Sequence, residues 1–112
     1  AGTFDAEATG KWKAEFETQI GVQKYTYEFK VEGEKLTGKA IGERAGEKAE
    51  VVLSEGKVTK DGISFVQPLS FQGQEIRITY QGKLTGDDEI KFTRKIGDFA
   101  TEELVAKRVK EK

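Results

Sequence analysis

A chain of 112 residues has room for one hydrophobic core and not for two. Its 19 basic residues nearly balance 20 acidic ones, a net charge of -1, so no global field draws in a phosphate backbone and nucleic acid is not an expected partner. With no cysteine and no histidine it lacks disulfides, thiol nucleophiles, imidazole bases and the common zinc and haem ligands, and no apolar run approaches the roughly 20 residues of a membrane-spanning helix.

Methionine is absent too, so Ala1-Gly2-Thr3 reads either as a mature terminus left by signal cleavage or as the trimmed edge of a larger polypeptide. Residues 1–9 are assigned to an N-terminal extension and 10–112 to a single domain. From Gly10 onward apolar and polar residues alternate, the period of half-buried strands, and no stretch repeats apolar residues at helical spacing over three turns. Glycines 10, 21, 33, 46, 62, 73, 86 and 97 punctuate the chain, mostly at the eleven- to thirteen-residue intervals of consecutive hairpins. Cutting there predicts strands over about 10–18, 23–32, 35–43, 47–58, 62–72, 74–84, 88–97 and 101–110. The last, ATEELVAKRVKEK, has helical propensity, but its LVAKRV portion is assigned to a strand because the first strand needs a partner. Pro68 falls inside a strand and predicts an edge or a bulge.

Connections this tight make sequential strands antiparallel, and eight of them in an up-and-down meander remove their edges by closing into a barrel. A β-sandwich, which also buries one face of each strand, is the alternative. Parity places Trp12, Ala14, Phe16, Tyr25, Tyr27, Phe29 and Val31 inward from the first two strands. It adds Leu36, Gly38, Ala40, Ala49, Val51 and Leu53, then Ile63, Phe65, Gln67, Leu69, Ile76, Ile78, Tyr80 and Leu84, and last Ile90, Phe92, Arg94, Ile96, Leu104, Ala106 and Arg108.

In such a meander the start of the first strand and the end of the last share one barrel end, so Trp12 and Arg108 are expected to meet there, a guanidinium over an indole. A Gly-x-Trp at the head of the first strand with an arginine on the last resembles the calycin group, lipocalins and avidin-like proteins, which implies a closed floor at that end and an open mouth for one small ligand at the other. A longer resemblance runs through GKW, KLTGKA at 35–40, GKVTKDGISF at 56–65, DEIKFTRK at 88–95 and ELVAKR at 103–108. These segments resemble a family of small exported bacterial β domains found alone or beside carbohydrate-active enzymes, which implies a secreted or periplasmic accessory module and supplies no site residues.

An eight-stranded barrel is just wide enough to be filled by side chains or to hold one small ligand, and the inward polar residues decide between the two. Tyr25, Gln67, Tyr80 and Arg94 gather away from Trp12, where Arg94 either pairs with Glu102 or awaits a ligand. Phe99, in a mouth turn, either stacks on a ligand or folds back over the core. The mouth turns are placed at 17–21, 43–46, 72–74 and 96–100. Asp87-Asp88-Glu89 offers oxygens to calcium but is shorter than a loop with ligand spacing, so a solvated turn is expected. GERAGEK at 42–48 lacks the P-loop spacing. No facing pair of carboxylates and no histidine-activated serine emerges. The expected function is non-catalytic binding of a polysaccharide or small molecule through Tyr25, Gln67, Tyr80, Arg94 and Phe99, with no metal and no cofactor. A fully packed structural or protein-interaction domain is the alternative.

Overall fold

The computed structural model describes residues 8–18, 21–44 and 46–110. Its strands are β1 (Gly10–Thr18), β2 (Gly21–Glu32), β3 (Lys35–Arg44), β4 (Glu47–Val52), β5 (Ser54–Thr59), β6 (Gly62–Phe71), β7 (Gln74–Gly86), β8 (Glu89–Ile96) and β9 (Ala100–Arg108). Every pairing is antiparallel. The last strand pairs with β8 along its length and with β1 through Trp12↔Arg108, Lys13↔Lys107 and Ala14↔Ala106, which closes the ring. The fold is a closed up-and-down barrel. The helical propensity of 101–110 loses to these two ladders, which give its backbone partners on both sides and bury Leu104 and Ala106.

Nine strands make an eight-stranded barrel because the predicted fourth strand is broken at Leu53. Beyond the break Glu55 takes a positive φ of 54°, and the β5–β6 register shifts between Ser54 and Lys57. The extra residue is a bulge, and it reverses parity: Val58, absent from the inward face read off the sequence, is buried in the core. Outside the barrel the side chains of Arg77 and Glu55 form a bidentate ion pair, with N···O distances of 2.6 and 3.0 Å. Ser54 pairs with Val66 and Arg77 with Pro68 on either side of β6, so the ion pair reaches over that strand. Val66 beneath it is buried although its parity points outward.

The core is a set of stacked rings. Phe16, Tyr25, Tyr27 and Phe29 follow one another at centroid spacings of 5.6 to 5.9 Å, and Phe65, Tyr80 and Phe92 pack against Tyr27 at 5.6 to 6.2 Å. Offset and edge-on contacts of this kind satisfy the ring quadrupoles as well as burying area.

The floor explains the Gly-x-Trp pattern. The Arg108 guanidinium lies 4.4 Å from the centre of the Trp12 ring and donates to the backbone carbonyls of Thr9 at 3.0 Å and Asp87 at 3.0 and 3.2 Å. Gly10 has φ +133°, and a Cβ there would stand 3.2 Å from Arg108 Nη1, so glycine suits both the backbone and the space. The Trp12 indole N–H donates to the carbonyl of Ala8 at 2.9 Å. Ala8 is itself fully buried, so Ala8 and Thr9, assigned to an extension from sequence, belong to the barrel floor. The Ala1-Gly2-Thr3 terminus lies outside the described residues.

The acidic run serves the same floor. Asp88 lies 3.3 Å from Arg108 and 3.0 Å from Lys110, while Glu89 accepts a hydrogen bond from Thr85 at 2.8 Å. Among the described residues no group of three or more acidic side chains is arranged to hold a metal ion. No helix among them is long and apolar enough to cross a membrane.

Candidate functional site: the barrel mouth

The polar interior residues form one connected network above the rings. Arg94 Nε donates to the Tyr80 hydroxyl at 2.8 Å and its Nη1 to Glu102 at 2.6 Å. Tyr80 in turn donates to Gln67 Oε1 at 2.9 Å, and Gln67 Nε2 donates to the Tyr25 hydroxyl at 3.2 Å. Tyr80 has a single proton and gives it to Gln67. The 2.8 Å contact between Tyr27 and Tyr80 is therefore donated by Tyr27. The Arg94 guanidinium also lies 5.3 to 5.6 Å from the ring centres of Phe16, Tyr25 and Tyr80, a cage of π faces around a buried charge.

Burial opposes the charge on Arg94, but the oxygens of Tyr80 and Tyr25 and the hydrogen bond to Glu102 outweigh it and raise its pKa. Burial pushes Tyr80 up to about 12, with Arg94 pulling the other way. Tyr27 is raised well above 10, again chiefly by burial and then by Tyr80. Both phenols hold their protons more tightly in the fold than in the unfolded chain. Their contribution to stability is complete below pH 10 and is lost as pH rises through the folded-state values; raising the Tyr80 phenol to about 12 alone corresponds to about 2–3 kcal/mol. Thermal melts should therefore be flat from pH 7 to 9 and fall steeply between about pH 10 and 12, with the tyrosinate absorbance of Tyr27 and Tyr80 appearing together with unfolding. Ionisation of Tyr27 and Tyr80 at about pH 11 in a still-folded chain would contradict the buried network.

Arg94, Tyr80 and Glu102 thus complete one another, and Arg94 and Tyr80 are buried. Of the expected ligand contacts, Tyr25 and Gln67 line an open cavity; Tyr80 and Arg94 lie beneath it in the packed interior. Phe99 is 78% exposed in the β8–β9 turn, with its ring near Gly97, so it neither folds back over the core nor lines the cavity. The mouth turns at 17–21 and 43–46 fall partly outside the described residues, at Gln19, Ile20 and Ala45.

The cavity measures about 430 Å³ and sits behind β4, between the β2–β3 wall and β6. It exists because the ladder splits there. β4 pairs with β3 alone, and β6 is joined to β5 below the break. The β6–β7 hairpin turns on Gln72 and Gly73, both at positive φ, so the flanking pair Phe71↔Gln74 is hydrogen-bonded and the backbone groups of Ser70 and Pro68 face away from β7, toward β4. Proline has no N–H to offer at that position. Among the described residues no ladder closes this seam, and the edge expected from Pro68 is an internal slot in the barrel wall.

Small side chains deepen the slot. Ala40, Gly42 and Ala49 leave room where larger residues fill the rest of the barrel, with Val51 and Leu69 supplying apolar wall. Tyr25 lies against Gly42, where a Cβ would stand 3.2 Å from its ring. Gln23 also lines the cavity, and its side-chain nitrogen is buried without a hydrogen-bond partner among the described residues. The sequence reading missed Gln23, although parity with Tyr25 puts it on the inner face, opposite Phe16. A second, larger depression of about 760 Å³ lies on the outer side of β6 to β9 beside Ser64, Gln81 and Thr93. It contains no buried unpaired polar atom among the described residues, so the mouth cavity is the better candidate.

No family model matches this chain, and no curated protein matches it. Among solved structures, a de novo designed fluorescence-activating β-barrel is similar over 97% of this chain and 100% of its own length, with a TM-score of 0.70 and 14% identity. The chain has a β-barrel fold. At that identity the likeness speaks to architecture alone.

Proposed function

We propose that this barrel is a non-catalytic binding module that takes a small ligand, or a sugar unit of a polysaccharide, in the cavity at its mouth. The observation that carries this reading is the buried Gln23 nitrogen, unpaired among the described residues, beside a hollow of about 430 Å³. Buried donors without partners are rare and costly, and binding pockets are where native proteins keep them. The ionisable interior groups are engaged with one another, which supports binding over catalysis: Arg94 is spent on Glu102 and Tyr80. The resemblance to exported accessory domains, found alone or beside carbohydrate-active enzymes, fits a secreted or periplasmic setting.

The packed interior beneath the cavity favours a second reading, a structural or protein-interaction domain, because Arg94, Tyr80 and Glu102 complete one another there without a ligand. Affinity electrophoresis across plant, fungal and bacterial polysaccharides separates the two. Wild type should be retarded by one glycan class, and Ala49→Trp, which fills the cavity from an exposed strand while leaving the core untouched, should abolish that retardation. Retardation that survives in Ala49→Trp would place the site elsewhere.

A further inference from the structure

We propose that the mouth cavity selects a neutral ligand presenting an acceptor oxygen, a carbonyl or an ether, to a pair of donors: the Gln23 amide and the Tyr25 hydroxyl. This rests on the binding reading above and adds to it the chemistry of the ligand.

Gln23 and Tyr25 are two residues apart on β2 and share its inner face, so their side chains emerge about 7 Å apart along the strand, within reach of one ring-sized molecule. Gln23 Nε2 has no partner among the described residues. Tyr25 accepts its hydrogen bond from Gln67, which leaves its own proton to donate. The acceptor that Gln67 could have offered is already taken by Tyr80. Among the described residues, the Gln23 amide and the Tyr25 hydroxyl are therefore side-chain donors at this wall with a proton left for a ligand. The terminal torsion of glutamine is soft, so the Gln23 amide turns toward a ligand oxygen at little cost.

Charge argues for neutrality. Arg94, the buried charge among the described residues, is matched by Glu102 at 2.6 Å. The rim carries Glu43, Glu47 and Lys48, of mixed sign. An anion or cation entering the slot would give up hydration without a fixed counter-charge in return. Ala40, Ala49, Val51 and Leu69 suit an apolar ring body.

The test uses three six-membered-ring probes, cyclohexanone, piperidinium and cyclohexanecarboxylate, titrated into the isotope-labelled chain and followed by NMR; fragments of this size bind with Kd on the order of millimolar. Cyclohexanone should shift the Gln23 side-chain amide and the backbone amides of Ala49 and Leu69, and the two ions should not. Gln23→Leu should weaken cyclohexanone about five- to tenfold and raise the melting temperature, because the variant no longer buries an unpaired amide. Tyr25→Phe should weaken it by a similar factor. Ions that bind as well as the ketone, a Gln23→Leu chain that binds the ketone unchanged, or one that loses its fold would each overturn the donor pair while leaving the cavity as a binding site. No shift at these residues with any probe would overturn both the donor pair and the binding reading.

Discussion

Replacing Arg94 with alanine is expected to cost about 3–5 kcal/mol of folding stability, the range found when one partner of a buried ion pair is removed. The side chains of Arg94 and Glu102 are only 6% and 14% exposed, so the carboxylate left behind has little water to turn to. Tyr80 loses a donor at the same time, and three ring faces lose the cation between them. For a domain of this size the loss lowers the melting temperature by roughly 15–30 °C. The double variant Arg94→Met, Glu102→Leu should recover most of it, because well-packed apolar replacements of a buried pair are often neutral. A loss below about 1 kcal/mol for Arg94→Ala would show that the network does not hold the upper core together. The double variant also separates charge from volume: failure to recover stability would assign the effect to packing.

Trp12→Ala should be comparably severe, about 3–5 kcal/mol, as for other large buried aromatics. Trp12 is fully buried, and its removal leaves the Ala8 carbonyl without its donor and Arg108 without its stacking face. Arg108→Ala isolates the other half of the floor, because it removes the bonds to the Thr9 and Asp87 carbonyls and leaves the indole in place. Its cost should be smaller than that of Trp12→Ala, since the carbonyls near the barrel end can turn to water. Denaturant melts of the two variants check the order. A Trp12→Ala loss under about 1 kcal/mol would mean that the floor is closed by something other than the indole.

Alternation and glycine spacing were enough to read an antiparallel meander with a barrel as its expected closure and a β-sandwich as the alternative, and the ladder between β1 and β9 decides for the barrel. Strands of period two must bury one face, and turns of two or three residues leave neighbours no choice but antiparallel pairing. The floor was legible for the same reason: once the meander is accepted, the first and last strands meet, and Trp12 and Arg108 are the residues at that junction. Tyr25 and Gln67 could be placed at the mouth by counting along their strands, and Arg94 opposite Glu102 likewise. The fourth strand is where this logic stopped. Its break lies at Leu53-Ser54-Glu55, where Gly56 follows but falls outside the regular glycine spacing, and Glu55 holds a positive φ with its carboxylate tied to Arg77 on a strand two places away.

What this sequence determined by itself was every choice made by local period and local turn chemistry: strand over helix, antiparallel neighbours, the identity of the ring core and the residues, Trp12 and Arg108, that meet once the barrel closes. Only the tertiary structure decided that the wall splits between β4 and β6, that Val58 turns inward and Val66 is covered, that Arg94 is satisfied within the chain, and that the Gln23 nitrogen finds no partner among the described residues. These outcomes depend on how far apart two strands stand and on which partners remain after others are taken. Both are properties of residues far apart in sequence, and no pattern within one strand records them.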